Sequence, residues 1–221
     1  MKVKLTNVRL RFPKLDEPKP VGTGEQLYYS GAFPVEPKSA NHIAISNAMK
    51  HEATSKWATK ADAVLKKLIE DNNVCFKLKP LTDGEGNVYG GFEGMYSLNA
   101  SVNEKRGEPA LFDNDLSPLN DAAARVLNAN PQRVAKNGGK KFVAKGNRGR
   151  LYDGCYVDVT VDIWPQDNEN GKRINAQLVG VQFRADGDSF SGGAVASVDD
   201  FDDLSVTDGG SESSDDLLGV G

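Results

Sequence analysis

Seven bases and no acid fall within the eighteen residues RVAKNGGKKFVAKGNRGR at 133–150. Arg133, Lys136, Lys140, Lys141, Lys145, Arg148 and Arg150 carry the charge, and Phe142 sits among them. Like charges this dense repel one another, a cost that an anionic partner offsets. A glycine-rich cationic loop bearing an aromatic suits phosphates and unpaired bases. The plainer reading is a solvated surface loop. Just beyond it, Cys155, Val157, Val159, Val161 and Ile163 alternate with Tyr156, Asp158, Thr160, Asp162 and Trp164. That period of two places Tyr156 and Trp164 on the outer face of a strand, with Tyr152 close by. Aromatics on such a face can stack bases at about 1–3 kcal/mol each, unless a helix or loop covers them. Lys77 and Lys79, on the polar side of another short strand, and Lys105 and Arg106, at a strand end, are further candidate phosphate contacts.

Catalytic chemistry finds less support. Asp83-Gly-Glu85-Gly-Asn87 opens like a calcium loop, yet Val88 occupies the position that requires glycine, and Glu93 falls one place short of the closing ligand. A hairpin turn explains the segment better. Asp113/Asp115 and Asp158/Asp162 lack a further convergent ligand. Two cysteines, Cys75 and Cys155, and two histidines, His42 and His51, are too few and too scattered for a zinc site. The cysteines read as small buried hydrophobes in a reducing compartment. No phosphate-loop, nucleophile-elbow or zincin motif occurs. No cofactor or metal is expected, and the protein is expected not to be an enzyme.

The net charge of −4 conceals a segregation. After Arg184 there is no Lys or Arg but ten acids, so residues 1–184 hold 27 bases against 21 acids, a net +6 before a −10 extension. Ser, Gly and Asp dominate that extension, which cannot bury enough apolar surface to offset its ordering entropy. A binding domain over 1–188 and a disordered acidic tail over 189–221 follow. Asp199, Asp200, Asp202, Asp203, Asp215 and Asp216 are the tail residues expected to meet partner proteins and to compete with an anionic ligand for the body. No apolar stretch is long enough to span a membrane, and MKVKLTNVRLRF lacks the apolar core of a signal peptide.

The positioning elements read as mainly β: a small OB-fold-like barrel with one substantial helix and inserted loops. Residues 2–12 alternate, with a phase switch near Thr6–Asn7 that suggests a bulge. Pro13–Gly24 reads as a loop, and Leu27–Val35 as a second strand. Ser39 or Asn41 caps a helix running to about Asp71, broken near Thr54–Ser55. Trp57, Ala61, Val64, Leu65 and Leu68 form its apolar stripe, so Trp57 is expected in the core. Val74–Lys79 is a strand, Asp83–Asn87 a turn, and Val88–Val102 one long strand punctuated by Gly90, Gly91 and Gly94. Asp121 caps a brief helix that Pro131 ends, and two long strands joined at Asp167–Gly171 close the body, with a phase shift at Gly180.

The succession VKLTNVRLRFPKL, YSGAFPV, PALFD, YDGCYVDVTVDIW and GVQFRADGDSFSGGAVASVDDFDDL resembles the single-stranded DNA-binding proteins of tailed bacteriophages over residues 1–204. The resemblance implies an OB-fold, sequence-independent binding of single-stranded DNA and a role in phage replication or recombination in the host cytoplasm. It also implies replication or recombination proteins as partners of the tail. Self-association along the strand is a separate expectation. Two other readings stay open: a metal-dependent nuclease, and a protein–protein adaptor.

Overall fold

The computed structural model describes residues 1–21 and 24–190. Eight strands form one sheet: β1 (Lys2–Arg9), β2 (Arg11–Pro20), β3 (Leu27–Val35), β4 (Phe76–Lys77), β5 (Tyr96–Asn103), β6 (Ala110–Phe112), β7 (Tyr156–Asn168) and β8 (Gly171–Ala185). The main pairing path is β1-β7-β8-β5-β3-β2, with β4 on β5 and β6 on β8. The path is not closed by hydrogen bonds, but its end strands β1 and β2 are successive parts of one bent chain joined at Leu10. There Leu10 N–H donates to the Cys155 carbonyl (2.9 Å), and Gly154 N–H to the Leu10 carbonyl (2.8 Å). The fold is mainly β with one main helical segment, as the alternation implied.

That segment comprises α1 (Ala40–Trp57), a 3-10 turn (Ala58–Lys60) and α2 (Ala61–Glu70). Ser39 is the N-cap, its hydroxyl accepting from His42 N–H at 3.2 Å. The break lies at Ala58, in the left-handed region at φ 48°, rather than at Thr54–Ser55. The bulge expected near Thr6–Asn7 is present: register shifts between Leu5 and Val8, with Asn7 at φ 54°. The Asn41 side chain takes the place of a strand partner there, accepting from Thr6 N–H (3.1 Å) and donating to the Thr6 carbonyl (2.9 Å).

Several local expectations fail for identifiable reasons. Pro13–Gly24 is not all loop, because β2 continues to Pro20; as an edge strand with two register irregularities it tolerates prolines that lack a donor. Val88 is 41% exposed in an isolated bridge with Thr82, and Gly91 and Gly94 take positive φ, so the long strand begins only at Tyr96. The Val74–Lys79 strand shrinks to Phe76–Lys77, leaving Leu78 exposed. Asn120 rather than Asp121 caps α3 (Asp121–Asn128), and Pro131 opens α4 (Pro131–Lys136), where its missing N–H costs nothing. Basic residues 133–136 of the supposed loop are therefore helical.

The core collects the inward positions of the closing hairpin, Val157, Val159, Val161, Ile163, Ile174, Leu178, Val181 and Phe183. Leu5, Leu10, Phe33 and Leu98 face them, and Ile45, Met49, Leu65 and Leu68 of the helices cover one side. Cys75 and Cys155 are buried free thiols, and burial pushes them up to about 12 and about 11. Trp57 packs against the core edge, half-buried, with its indole N–H donating to Asp167 (2.8 Å).

Replacing Asn41 by Ala removes the two bonds that close the β1 bulge. Urea unfolding of Asn41→Ala should show a loss of about 1–2 kcal/mol, with an unchanged denaturant slope.

Candidate nucleic-acid interface

Alternation along the hairpin that buries valines on one side sends Trp164, Gln166, Asn175 and Gln177 to the other. The register aligns Trp164 with Asn175, Gln166 with Arg173 and Asp162 with Gln177 across β7 and β8. Gln177 in turn pairs in parallel with Ser101 of β5, and Asn103 of β5 sits opposite Tyr28 of β3. Four strands thus present one continuous outer face rich in amides, with an aromatic at each side. After β5, Asn103 caps a 3-10 turn by accepting from Lys105 N–H (3.0 Å), which sets Lys105 and Arg106 at the rim. Arg106 donates to the Gln177 side-chain oxygen at 2.9 Å, fixing its guanidinium over the floor.

This face encloses a cleft of about 680 Å³. Its cations are Lys105, Arg106 and Arg173, its aromatics Tyr28 and Trp164, and among the described residues no Asp or Glu lines it. An acid-free cleft with stacking surfaces and amides that both donate and accept can hold a phosphodiester and present partners to base edges.

Of the residues singled out in the sequence, the structure brings Lys105, Arg106 and Trp164 together here. Lys145, Arg148, Arg150 and Tyr152 line a second cleft of about 440 Å³ that also contains Asp113 and Asp186. Arg150 is committed there, paired to Asp113 at 2.9 Å and lying over the Phe183 ring at 3.7 Å. The Tyr152 hydroxyl is bonded to Asp186 and to the Gly187 carbonyl. Phe142 is pinned by Asn128 through two backbone bonds, its N–H donating at 2.8 Å and its carbonyl accepting at 3.0 Å. Lys140 and Lys141 are exposed beside it. Lys77 lies opposite Ser97 on β4, and Lys79 is exposed two residues on. Tyr156 stands about 26 Å along β7 from Trp164, with the Arg9 guanidinium 4.9 Å from its ring centre. Asp199, Asp200, Asp202, Asp203, Asp215 and Asp216 lie outside the described residues.

Tyr28, Arg173, Asn175 and Gln177 were not singled out from sequence. Their signal was the outward half of two alternating strands, Asn99/Ser101/Asn103 and Asn175/Gln177, which is legible only once the pairing of β5 with β8 is known.

Of the outer-face acids, Asp162 lies beside Trp164 but outside the cleft lining, paired with the Met1 amino group at 3.0 Å. Asp158 accepts from Asn7 N–H (3.0 Å) and from Arg184 (3.0 Å), and pairs with Lys4 (3.3 Å). Burial opposes its charge, but those three donors prevail and hold its carboxyl below the usual range. The Asp83 turn is self-contained, its carboxylate accepting from Glu85 N–H, Asn87 N–H and the Asn87 side chain. Among the described residues, no three His, Cys, Asp or Glu converge as a metal site.

Residues 1–216 match the model of the family described as Enterobacter phage Enc34, ssDNA-binding protein. The chain belongs to that family. The resemblance read from its motifs is thereby borne out. A protein designated p50, of Acyrthosiphon pisum secondary endosymbiont phage 1, is 37% identical over 210 residues, covering 94% of this chain and 96% of its own. Among solved structures, the single-stranded DNA-binding protein from bacteriophage Enc34 in complex with ssDNA matches with a TM-score of 0.51 at 22% identity, covering 86% of this chain and 89% of that one. At that identity the likeness is one of fold. The single-stranded DNA-binding protein gp2.5 encoded by bacteriophage T7 matches with a TM-score of 0.46 at 13% identity, covering 96% and 99%.

A depressed native pKa makes Asp158 stabilising above the usual carboxylate pKa, a contribution lost as pH falls through the lower native value. Asp158→Asn should therefore lower the urea midpoint at neutral pH. The gap to the parent protein should close below about pH 4.

Proposed function

We propose that this chain binds single-stranded DNA without sequence preference, along the cleft between β7, β8, β5 and β3. The observation that carries this reading is a cleft lined by Lys105, Arg106 and Arg173 with Tyr28 and Trp164, and by no carboxylate among the described residues. Membership of a family of phage single-stranded DNA-binding proteins agrees with it. Trp164 and Tyr28 would stack bases, Lys105, Arg106 and Arg173 would neutralise phosphates, and the amides would satisfy base edges of any identity. Stacking tolerates every base because each has a π-face, which gives affinity without sequence readout.

The remaining candidates extend the path in the same proposal. Lys140, Lys141, Lys145 and Arg148 form an outlying cationic track, and Lys77 and Lys79 flank β5. Phe142, its backbone held by Asn128, offers its ring to a base, while Arg150, Tyr152 and Tyr156, engaged by Asp113, Gly187 and Arg9, shape the path. The role is coating and protection of single strands in phage replication or recombination, in the host cytoplasm and without catalysis. The domain over 1–188 bears the DNA, and the acidic segment over 189–221 competes with DNA and meets partner proteins.

Titration with oligothymidylate tests the reading. Trp164 fluorescence should be quenched, and a Trp57→Phe chain should retain that quenching. Trp164→Ala should weaken binding about five- to a hundredfold. The logarithm of affinity should fall against that of salt with a slope of about −0.7 for each neutralised phosphate. A chain ending at Phe190 should bind more tightly than the whole chain. Quenching that vanishes with Trp57 instead of Trp164 would contradict the assignment.

A further inference from the structure

The segment that follows β8 turns back onto the body. The Tyr152 hydroxyl donates to the Gly187 carbonyl (2.9 Å) and accepts from Gly187 N–H (3.0 Å). Arg9 donates to the carbonyls of Gly154 and Asp188, and Phe190 N–H donates to the Asp153 carbonyl (3.4 Å). The approach is close enough to need glycine: a side chain on Gly91 would run into the Phe190 ring, and one on Gly154 into the Asp188 carbonyl.

Phe190 ends this strap beneath two cations. The Arg9 guanidinium lies 4.3 Å from its ring centre and the Arg11 guanidinium 4.0 Å. The stack continues both ways, from Arg9 to Tyr156 at 4.9 Å and from Arg11 to Phe12 at 4.6 Å, with Tyr89 edge-on to Phe12 at 4.9 Å. Tyr156, Arg9, Phe190, Arg11, Phe12 and Tyr89 thus form a ladder of aromatic and cationic rungs. Phe12 sits at φ 50°, a costly conformation for a bulky residue. Asp153 holds it there, accepting from Phe12 N–H (3.3 Å) and pairing with the buried Arg11 at 2.8 Å.

Five rungs belong to β1, β2, β7 or the turn bearing Tyr89. Phe190 alone comes from the chain beyond the last strand, so it is the rung that can leave. Its departure, with that of the Asp188 carbonyl, leaves the Arg9 guanidinium with the Gly154 carbonyl and the Tyr156 ring, and the Arg11 guanidinium paired with Asp153. A ring-sized gap with a net positive charge is chemistry for a base and its phosphate. The second cleft adjoins it, since Tyr152 and Asp186 line that cleft and the Tyr152 hydroxyl bonds the strap at Asp186 and Gly187.

We propose that the Arg9–Arg11 slot is a second seat for one nucleotide of single-stranded DNA, closed by Phe190 until the strand displaces it. The proposal rests on the reading that the chain binds such DNA, and adds a contact at the far end of β7 from Trp164. Fluorine NMR of the whole chain, with 4-fluorophenylalanine at position 190 alone, tests it while Trp164 quenching reports occupancy of the main cleft. Long oligothymidylate should shift the fluorine resonance from its docked to its solvent-exposed position in step with binding. A resonance unmoved while Trp164 is quenched overturns the slot. Absence of any binding overturns the underlying reading instead, and the slot with it. Phe190→Ala should tighten oligothymidylate binding about fivefold, and adding Arg9→Ala should abolish that gain. A gain that survives Arg9→Ala overturns the proposal.

Discussion

The antiparallel ladder between Tyr156–Asn168 and Gly171–Ala185 is the constraint on which the rest of the molecule depends. Its inner side supplies the center of the core, and its outer side supplies the floor of the cleft. Because side chains alternate strictly, burying Val161, Ile163, Ile174 and Leu178 obliges Trp164, Asn175 and Gln177 to face outward. A slip of one residue would bury the amides and expose the valines together. The register shifts near Thr160/Val161, where Gly180 allows the Ala110 carbonyl to approach. That irregularity adds twist and lets β6 pair alongside, which curves the sheet around its helix.

Charge is sorted along the same ladder. Toward the Tyr156 end, the one carboxylate of Asp158 is shared by Lys4 and Arg184. At the Trp164 end, the cations of the cleft face amides rather than acids. Arg106 held by a neutral Gln177 keeps its full charge for an incoming anion, whereas Arg150 held by Asp113 does not. Amides orient a cation without neutralising it, and this distinguishes a binding surface from a structural ion pair.

Much of this was legible in the sequence. Strict alternation announced the closing hairpin and the exposure of Trp164, the phase switch announced the Asn7 bulge, and Ser39 announced the start of the helix. The readings that failed did so where a local signal met a nonlocal circumstance. Prolines in Pro13–Gly24 argued for a loop, but β2 is an edge strand and needs fewer donors. Gly91 reads as a strand glycine until Phe190, far along the chain, is found against it. The segment at 133–150 read as a loop, but its first turn is helical because Asn130 caps a helix that Pro131 opens. The cleft itself joins Tyr28, Ser101, Trp164 and Gln177 across four strands, and a parallel pairing between β5 and β8 has no sequence signature of its own.

The claim at the center of this account is that single-stranded DNA lies in the cleft beside Trp164, which no carboxylate lines among the described residues. Photocrosslinking with oligonucleotides carrying 5-iodouracil, followed by peptide mapping of the whole chain, addresses it most directly. Crosslinks are expected at Trp164 and Tyr28, on opposite sides of one cleft. Crosslinks confined to residues outside that cleft, with Trp164 and Tyr28 unmodified at saturating DNA, would contradict it.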